Sequence, residues 1–297
     1  MARHLVGAAS RWAWPASLVI LPALFWWRIV FGGQVLAGVD LFTYFYPYRD
    51  YAASVLATGR LPLWNPYLFL GAPFLANSQV GVFYPLNLLM TWLPAPLAIN
   101  WSIVANLTLA GAGAYVFCRR RLGMGRGGAW VAGLLFGCGG FLAAQAEHAN
   151  QLAVSSLLPW ALLLLDGGAV RAGLPPARAP SPPEPSPPTP PPSLGEGRES
   201  KGGFRLPLSQ TWERGAGGEG AAALGLLLGI AFLAGHSQAW YILVFGLGLY
   251  VVGLSAATLR RDGRRAWRSL WPAAGTLLVA VGLSLALAGT VMQGVTR

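Results

Sequence analysis

The sequence predicts an all-α, polytopic bundle of about seven transmembrane helices with a long interfacial loop on its outer face. Three observations predict it. The 297 residues are 55% apolar and only 10% charged, with mean hydropathy +0.51, whereas soluble domains carry about 25% charged residues. Apolar runs near the ~20 residues that cross a hydrocarbon core recur along the chain. The positive charge, finally, falls between alternate runs. A water-soluble globule could not cover itself with so few charges, and disorder over most of the chain is excluded by its hydrophobicity.

The spans follow in order. The first covers about 13–31, the second 98–118, the third 129–145 and the fourth 149–165. The fifth, about 221–235, is short and rich in glycine and alanine. The sixth covers 238–257 and the seventh 272–292. The first run reads as a retained span rather than a cleaved signal: it is long, carries Arg28 near its end and lacks a clear small-x-small cleavage site. Of 21 Lys and Arg residues, 17 fall before span one or between spans two and three, four and five, and six and seven. The positive-inside rule then places the N-terminus and these loops in the cytoplasm. A net charge of +11 distributed this way marks membrane topology; nucleic acid would demand a basic face interleaved with aromatics.

Three regions result: residues 1–171 with spans one to four and the outer loop 32–97, an insertion at 172–220, and residues 221–297 with spans five to seven. The insertion holds 12 of the chain's 23 prolines and ends in a glycine-rich tract. Stiff proline and loose glycine segments build no core, so cytoplasmic disorder is expected there.

The outer loop carries twelve aromatic residues between Asp40 and Tyr84, a composition suited to the lipid–water boundary. Tyr48, Tyr51, Ala52, Val55 and Leu56 recur at helical spacing, with Arg49, Asp50 and Ser54 on the other face. Pro47 suits the first turn and Gly59 the stop, so an amphipathic helix is expected just after Asp40. The prolines of Leu61-Pro62-Leu63-Trp64-Asn65-Pro66-Tyr67 demand an extended or turned path.

On this topology the remaining titratable groups share one face. Asp40 and Asp50 lie in the first outer loop, Glu147 and His148 in the turn between spans three and four, and His236 and Gln238 in the turn between five and six. Asp40 can be a plain helix-boundary residue, a base that accepts a proton from a hydroxyl, or a holder of a divalent cation. His148 and His236 are either polar turn residues or contacts for a phosphate or sugar. Glu147 is equally a solvated turn carboxylate, and Asp50 reads as a solvated charge. Arg28 either snorkels to the interface or pairs with a lipid phosphate. Gly123-Met124-Gly125-Arg126-Gly127-Gly128 matches G-x-G-x-x-G but follows no strand, so no dinucleotide site is expected. Cys118 and Cys138 supply neither a disulfide framework nor a zinc site, and no metal-ligand motif is present.

The run Asp40, Tyr46-Pro47, Gly59 through Tyr67, Gly71-Ala72-Pro73, Gln79 and Phe83-Tyr84-Pro85-Leu86-Asn87 resembles the N-terminal signature of the YfhO-like bacterial membrane proteins, among the GT-C-type glycosyltransferases. Phe136, Gly140-Phe141, His148, Leu158-Pro159-Trp160 and Gly235-His236-Ser237-Gln238 with Tyr241 resemble the same family. The resemblance implies a GT-C-like fold in the bacterial cytoplasmic membrane. It implies transfer of a sugar from a polyprenyl-phosphate carrier to a cell-envelope polymer or glycan on the outer face, with Asp40 as the catalytic residue. His148, His236, Gln238, Glu147, Trp64 and Asn65 are the candidate substrate-binding residues beside it. No cofactor is specified beyond a divalent cation as one option, and the expected partners are membrane lipid, the lipid-linked donor and the acceptor, with no nucleic acid. Family members are longer, so the chain resembles the N-terminal part of one. A transporter or flippase of a lipid-linked glycan, or an inactive remnant, are the alternatives.

Overall fold

The computed structural model describes residues 2–171, 217–262 and 267–296, and almost all of its regular structure is helical. Helix α1 (Ala2–Phe25) turns at Trp26 and resumes as the single turn α2 (Trp27–Val30). After an extended stretch come a π-helical turn at Leu41–Phe45 and α3 (Tyr46–Leu56). Two short strands, β1 (Trp64–Asn65) and β2 (Ala72–Pro73), pair antiparallel, and a 3-10 turn at Ser78–Val80 leads to α4 (Pro85–Leu89). The bundle continues with α5 (Ala95–Arg120), α6 (Arg126–Gly137), α7 (Gly140–Ala144), α8 (Ala149–Ser156), α9 (Leu158–Arg171), α10 (Gly217–Leu233), α11 (Ser237–Asp262) and α12 (Trp267–Thr296).

Several spans differ from expectation for local reasons. The first begins at Ala2 and is interrupted at Trp26. The third breaks at Cys138-Gly139, where consecutive glycines lower helix propensity. The fourth breaks at Leu157, and Pro159 then occupies the start of α9, where its missing N–H costs nothing. Residues 217–220, counted with the insertion by composition, are the first turn of α10; the disorder expected for 172–216 lies outside the described residues. Ala95–Arg120, Arg126–Glu147, Ala149–Asp166 and Ser237–Ala257 are long and apolar enough to cross a membrane, while Ala13–Phe25, Gly220–Leu233 and Ala273–Leu287 are apolar but shorter.

Helix contacts are set by small residues. A Cβ on Gly137 would come within 2.8 Å of the Leu107 carbonyl and 2.9 Å of the Gly111 backbone, so α5 and α6 approach backbone to backbone. One core cluster joins α8–α9 to α10, α11 and α12 through Leu157, Leu165, Leu228, Trp240 and Ala280. Large apolar side chains such as Leu135, Phe245 and Leu278 are exposed on the bundle's flanks, the distribution of a helix assembly whose outside faces hydrocarbon.

Buried polar groups are paired across elements. Asn100 donates from Nδ2 to the carbonyls of Ile29 (2.8 Å) and Gln34 (3.1 Å), which ties the end of the first helical segment to α5. The Tyr84 hydroxyl donates to Asn106 Oδ1 at 2.9 Å, and Asn106 Nδ2 donates to the Ser102 carbonyl at 2.8 Å. These bonds plug the end of the long loop into the bundle. At the opposite end, fully buried Asp166 on α9 accepts from the Tyr250 hydroxyl at 2.8 Å, and Arg121 Nε lies 3.5 Å from its other oxygen.

The long loop folds as a cap. Ala52, Phe74, Leu75, Val80 and Val82 form a cluster against Tyr48 and Tyr51, with the Tyr51 and Phe74 rings edge to face at 4.8 Å. Thus α3 buries the expected face and holds the hairpin down.

Candidate functional site

Asp40 stands immediately before the π-helical turn, an irregularity that recurs at functional sites. The residues that follow it fix its position. Leu41, Phe45 and Tyr46 are buried against Ile99, Ile103, Leu142, Ala146, Ala149 and Leu152. The Tyr46 hydroxyl also donates to the Leu36 carbonyl at 2.8 Å, closing the segment on itself. Burying this side of the loop against residues 146–152 brings Asp40 to the turn that carries His148.

His148 Nε2 lies 3.2 Å from Asp40 Oδ2, with the two side chains 45% and 50% exposed. At that exposure solvent screens the pair, and its contribution to stability is about 0–1 kcal/mol. It is therefore a poor structural clamp but is open to a reactant. Asp40 keeps a second carboxylate oxygen for another partner, while His148 Nδ1 is buried without a hydrogen-bond partner. His148 itself is held at the non-helical start of α8, its N–H donating to the Gln145 carbonyl at 2.9 Å.

The other turn meets this one. Asn150 Nδ2 reaches the Gly235 carbonyl at 3.4 Å, and Gly235, at φ +90°, packs so tightly that a Cβ would lie 2.1 Å from the Ser78 carbonyl oxygen. The turn between α10 and α11 is thus wedged between the α8 start and the long loop. His236 follows directly. Its Nδ1 accepts the Ala239 N–H at 3.0 Å and so caps α11, a bond that leaves Nε2 uncommitted. Burial holds the His236 pKa below its ordinary value; its own backbone hydrogen bond works the other way, and a charge on His148 pushes it down further.

The remaining candidates divide. Glu147 lies over Gly38, with its carboxylate filling the space a Cβ there would need, so it braces the backbone two residues before Asp40. Gln238 is exposed in the first turn of α11. Trp64 and Asn65 sit in the hairpin packed on α3: the Trp64 ring covers Gly71, and buried Asn65 accepts the Tyr67 N–H at 2.9 Å. That bond makes the local turn. Asp50 is exposed, as read from the sequence. Arg28 is exposed with its guanidinium 5.7 Å from the Trp27 ring centre.

One group departs from the sequence reading. Arg49, placed on the solvent face of α3 by spacing, is half-buried and lines a cleft with Ala52, Ala53 and Leu56. It shares that cleft with Ala149, the neighbour of His148. The signal was present, since Arg49, Ala52, Ala53 and Leu56 fall at i, i+3, i+4 and i+7. Among the described residues, no three His, Cys, Asp or Glu side chains gather as a metal-ligand set.

No family model matches the chain, and no curated protein and no solved structure matches it.

Proposed function

We propose that this chain is a membrane glycosyltransferase, or the N-terminal portion of one, which moves a sugar from a polyprenyl-phosphate carrier to a hydroxyl of a cell-envelope acceptor. The reading adopts the seven-span topology with a cytoplasmic N-terminus, which puts the Asp40 end of the bundle on the outer face. The observation that carries it is the approach of Asp40 and His148 to 3.2 Å from segments far apart in sequence, with the turn that bears His236 joined to the start of α8 through Asn150 and Gly235.

In this mechanism the Asp40 carboxylate accepts the proton of the acceptor hydroxyl as that oxygen attacks the anomeric carbon. The bond from the anomeric carbon to the phosphate oxygen breaks, and the lipid phosphate departs with its electron pair. His148 holds the carboxylate in place through Nε2, and His236 offers Nε2 to the donor. The half-exposed geometry supports the role, because a proton acceptor must be reachable by its substrate. Apolar flanks of the bundle support the lipid-linked donor, whose hydrocarbon chain would lie along them.

The test is transfer from a labelled polyprenyl-phosphate sugar in membranes containing the protein. Asp40→Ala is expected to abolish transfer at unchanged protein abundance. Full activity in that variant refutes the assignment.

A further inference from the structure

We infer that the second half of the outer loop is a lipid-inserting wedge, in which the turn at residues 68–71 carries Phe69 and Leu70 below the headgroups of the adjoining leaflet. The partner is a phospholipid surface.

Composition points to lipid first. Residues 61–94 contain no Asp, Glu, Lys or Arg, where a water-facing segment of that length would carry about eight. Within it lie the four most exposed large apolar side chains among the described residues, Leu70, Phe69, Tyr67 and Trp92. Water disfavours such a surface. A protein interface joins an apolar centre to a polar rim, but residues 66–71 offer no polar side-chain group besides the Tyr67 hydroxyl. A bilayer requires no rim, and the apolar helices of the chain put one alongside.

The backbone points the same way. β1 and β2 pair Trp64 with Pro73 and Asn65 with Ala72, and the Gly71 N–H closes the tip on the Leu68 carbonyl at 2.6 Å. The two central residues of that turn, Phe69 and Leu70, sit at φ +48° and +64°. A turn with positive φ at both central positions calls for Asn-Gly, which adopts it with little strain. Here two bulky residues occupy it, 90% and 105% exposed, so no packing against the protein offsets their strain. The turn gives up local fitness to aim two apolar side chains outward, and hydrocarbon is the medium that stabilises them there.

The surroundings are prepared for lipid. The Trp92 indole N–H donates to the Leu89 carbonyl at 2.7 Å and Asn65 accepts the Tyr67 N–H at 2.9 Å, so these groups can leave water already paired. Arg60, exposed at the start of the hairpin segment, can extend its guanidinium to headgroup phosphates. Helix α3 cannot take the same part. Its Tyr48 and Tyr51 face, which amphipathic spacing would lay on lipid, is packed on Phe74, Leu75 and Val80.

The experiment places a nitrobenzoxadiazole fluorophore on Tyr67→Cys in a full chain carrying Cys118→Ala and Cys138→Ala, which leaves Phe69 and Leu70 intact. The same label on Asp50→Cys, an exposed position of α3, is the aqueous reference. Both proteins are reconstituted in phosphatidylcholine nanodiscs and quenched by iodide or by phosphatidylcholine bearing a doxyl group near the headgroup end of its acyl chain. The label at position 67 is expected to be quenched by doxyl lipid at least about twofold more than the reference, and by iodide at least about twofold less. Iodide quenching as strong as the reference's overturns the proposal, because the tip then lies in water. Protection from both quenchers also overturns it, because a second copy or another protein then covers the tip. This arm leaves the tip turn unaltered. Phe69→Asn combined with Leu70→Gly supplies the residues the turn prefers. That pair should hold or raise the melting temperature in detergent, while doxyl quenching at position 67 falls at least about twofold. Undiminished doxyl quenching in the folded double variant overturns the assignment of the anchor to these two side chains. None of these readouts depends on sugar transfer.

Discussion

Replacing Gly235 by alanine tests the way the long loop is seated on the bundle. A Cβ at this position would lie 2.1 Å from the Ser78 carbonyl oxygen and 3.1 Å from the Gln79 Cα. Ordinary carbon–oxygen contacts begin roughly 1 Å further out, at about 3.2 Å or more. The obstructing atoms are backbone, so they cannot rotate away as a side chain would. Alanine must also adopt φ +90°, which costs about 1–2 kcal/mol. Any shift that relieves the clash stretches the 3.4 Å contact from Asn150 Nδ2 to the Gly235 carbonyl, worth about another 1 kcal/mol. Together the loss is about 2–3 kcal/mol, a fall of roughly 4–12 °C in melting temperature for a domain of this size. Gly246, in the middle of α11 with nothing near its missing Cβ, is the control: alanine there should be neutral or stabilise by up to about 1 kcal/mol. Thermal unfolding followed by tryptophan fluorescence in nanodiscs separates the two. If Gly235→Ala melts with the wild type, the wedge between the long loop and the α10–α11 turn does not exist as described.

Other outcomes follow from the same contacts. Asp166→Ala should destabilise by about 1–3 kcal/mol, since it strands the Tyr250 hydroxyl and removes the carboxylate that faces Arg121. Asp166→Asn, which can still accept from Tyr250, should cost clearly less, and equal melting of the two variants would remove the hydroxyl from the account. The depressed pKa of His236 means that the unfolded chain takes up a proton before the folded one does. Its stabilising contribution is therefore present above pH ~6.5 and is lost as pH falls towards the folded value. His236→Asn, which retains a capping oxygen, should flatten the dependence of melting temperature on pH below ~6.5. An unchanged slope would exclude His236 as its source.

Much of this arrangement is written in local sequence, and the parts that are not share a physical reason. The helix after Asp40 is legible because Pro47, Gly59 and a run of i, i+3, i+4 apolar residues specify its start, stop and buried face within a dozen positions. The gathering of Asp40, His148 and His236 at one end follows from counting apolar runs, which fixes alternation of direction without any knowledge of packing. Arg49 was misplaced because α3 buries two stripes rather than one: the tyrosine face packs on the hairpin, and the Arg49–Leu56 face turns to the cleft. A single amphipathic reading allows only one inner face. Asn65 belongs to the sequence run that suggested substrate contact, yet its side-chain oxygen is committed to the Tyr67 amide, a distinction that composition does not carry. Asp166 and its partners Arg121 and Tyr250 are separated by 45 and 84 residues, so only the tertiary structure reveals why a carboxylate is tolerated in an apolar helix.

The central claim is that Asp40 accepts the proton with His148 acting through it, and a double-mutant cycle in the sugar-transfer assay tests this most directly. Rates from labelled polyprenyl-phosphate sugar would be compared for wild type, Asp40→Asn, His148→Gln and the double variant, each normalised to protein abundance. The account predicts that Asp40→Asn lowers transfer by at least about a hundredfold, that His148→Gln lowers it less, and that the double variant is no worse than Asp40→Asn alone. Independent, multiplying losses from the two substitutions, or full transfer by Asp40→Asn, would contradict it.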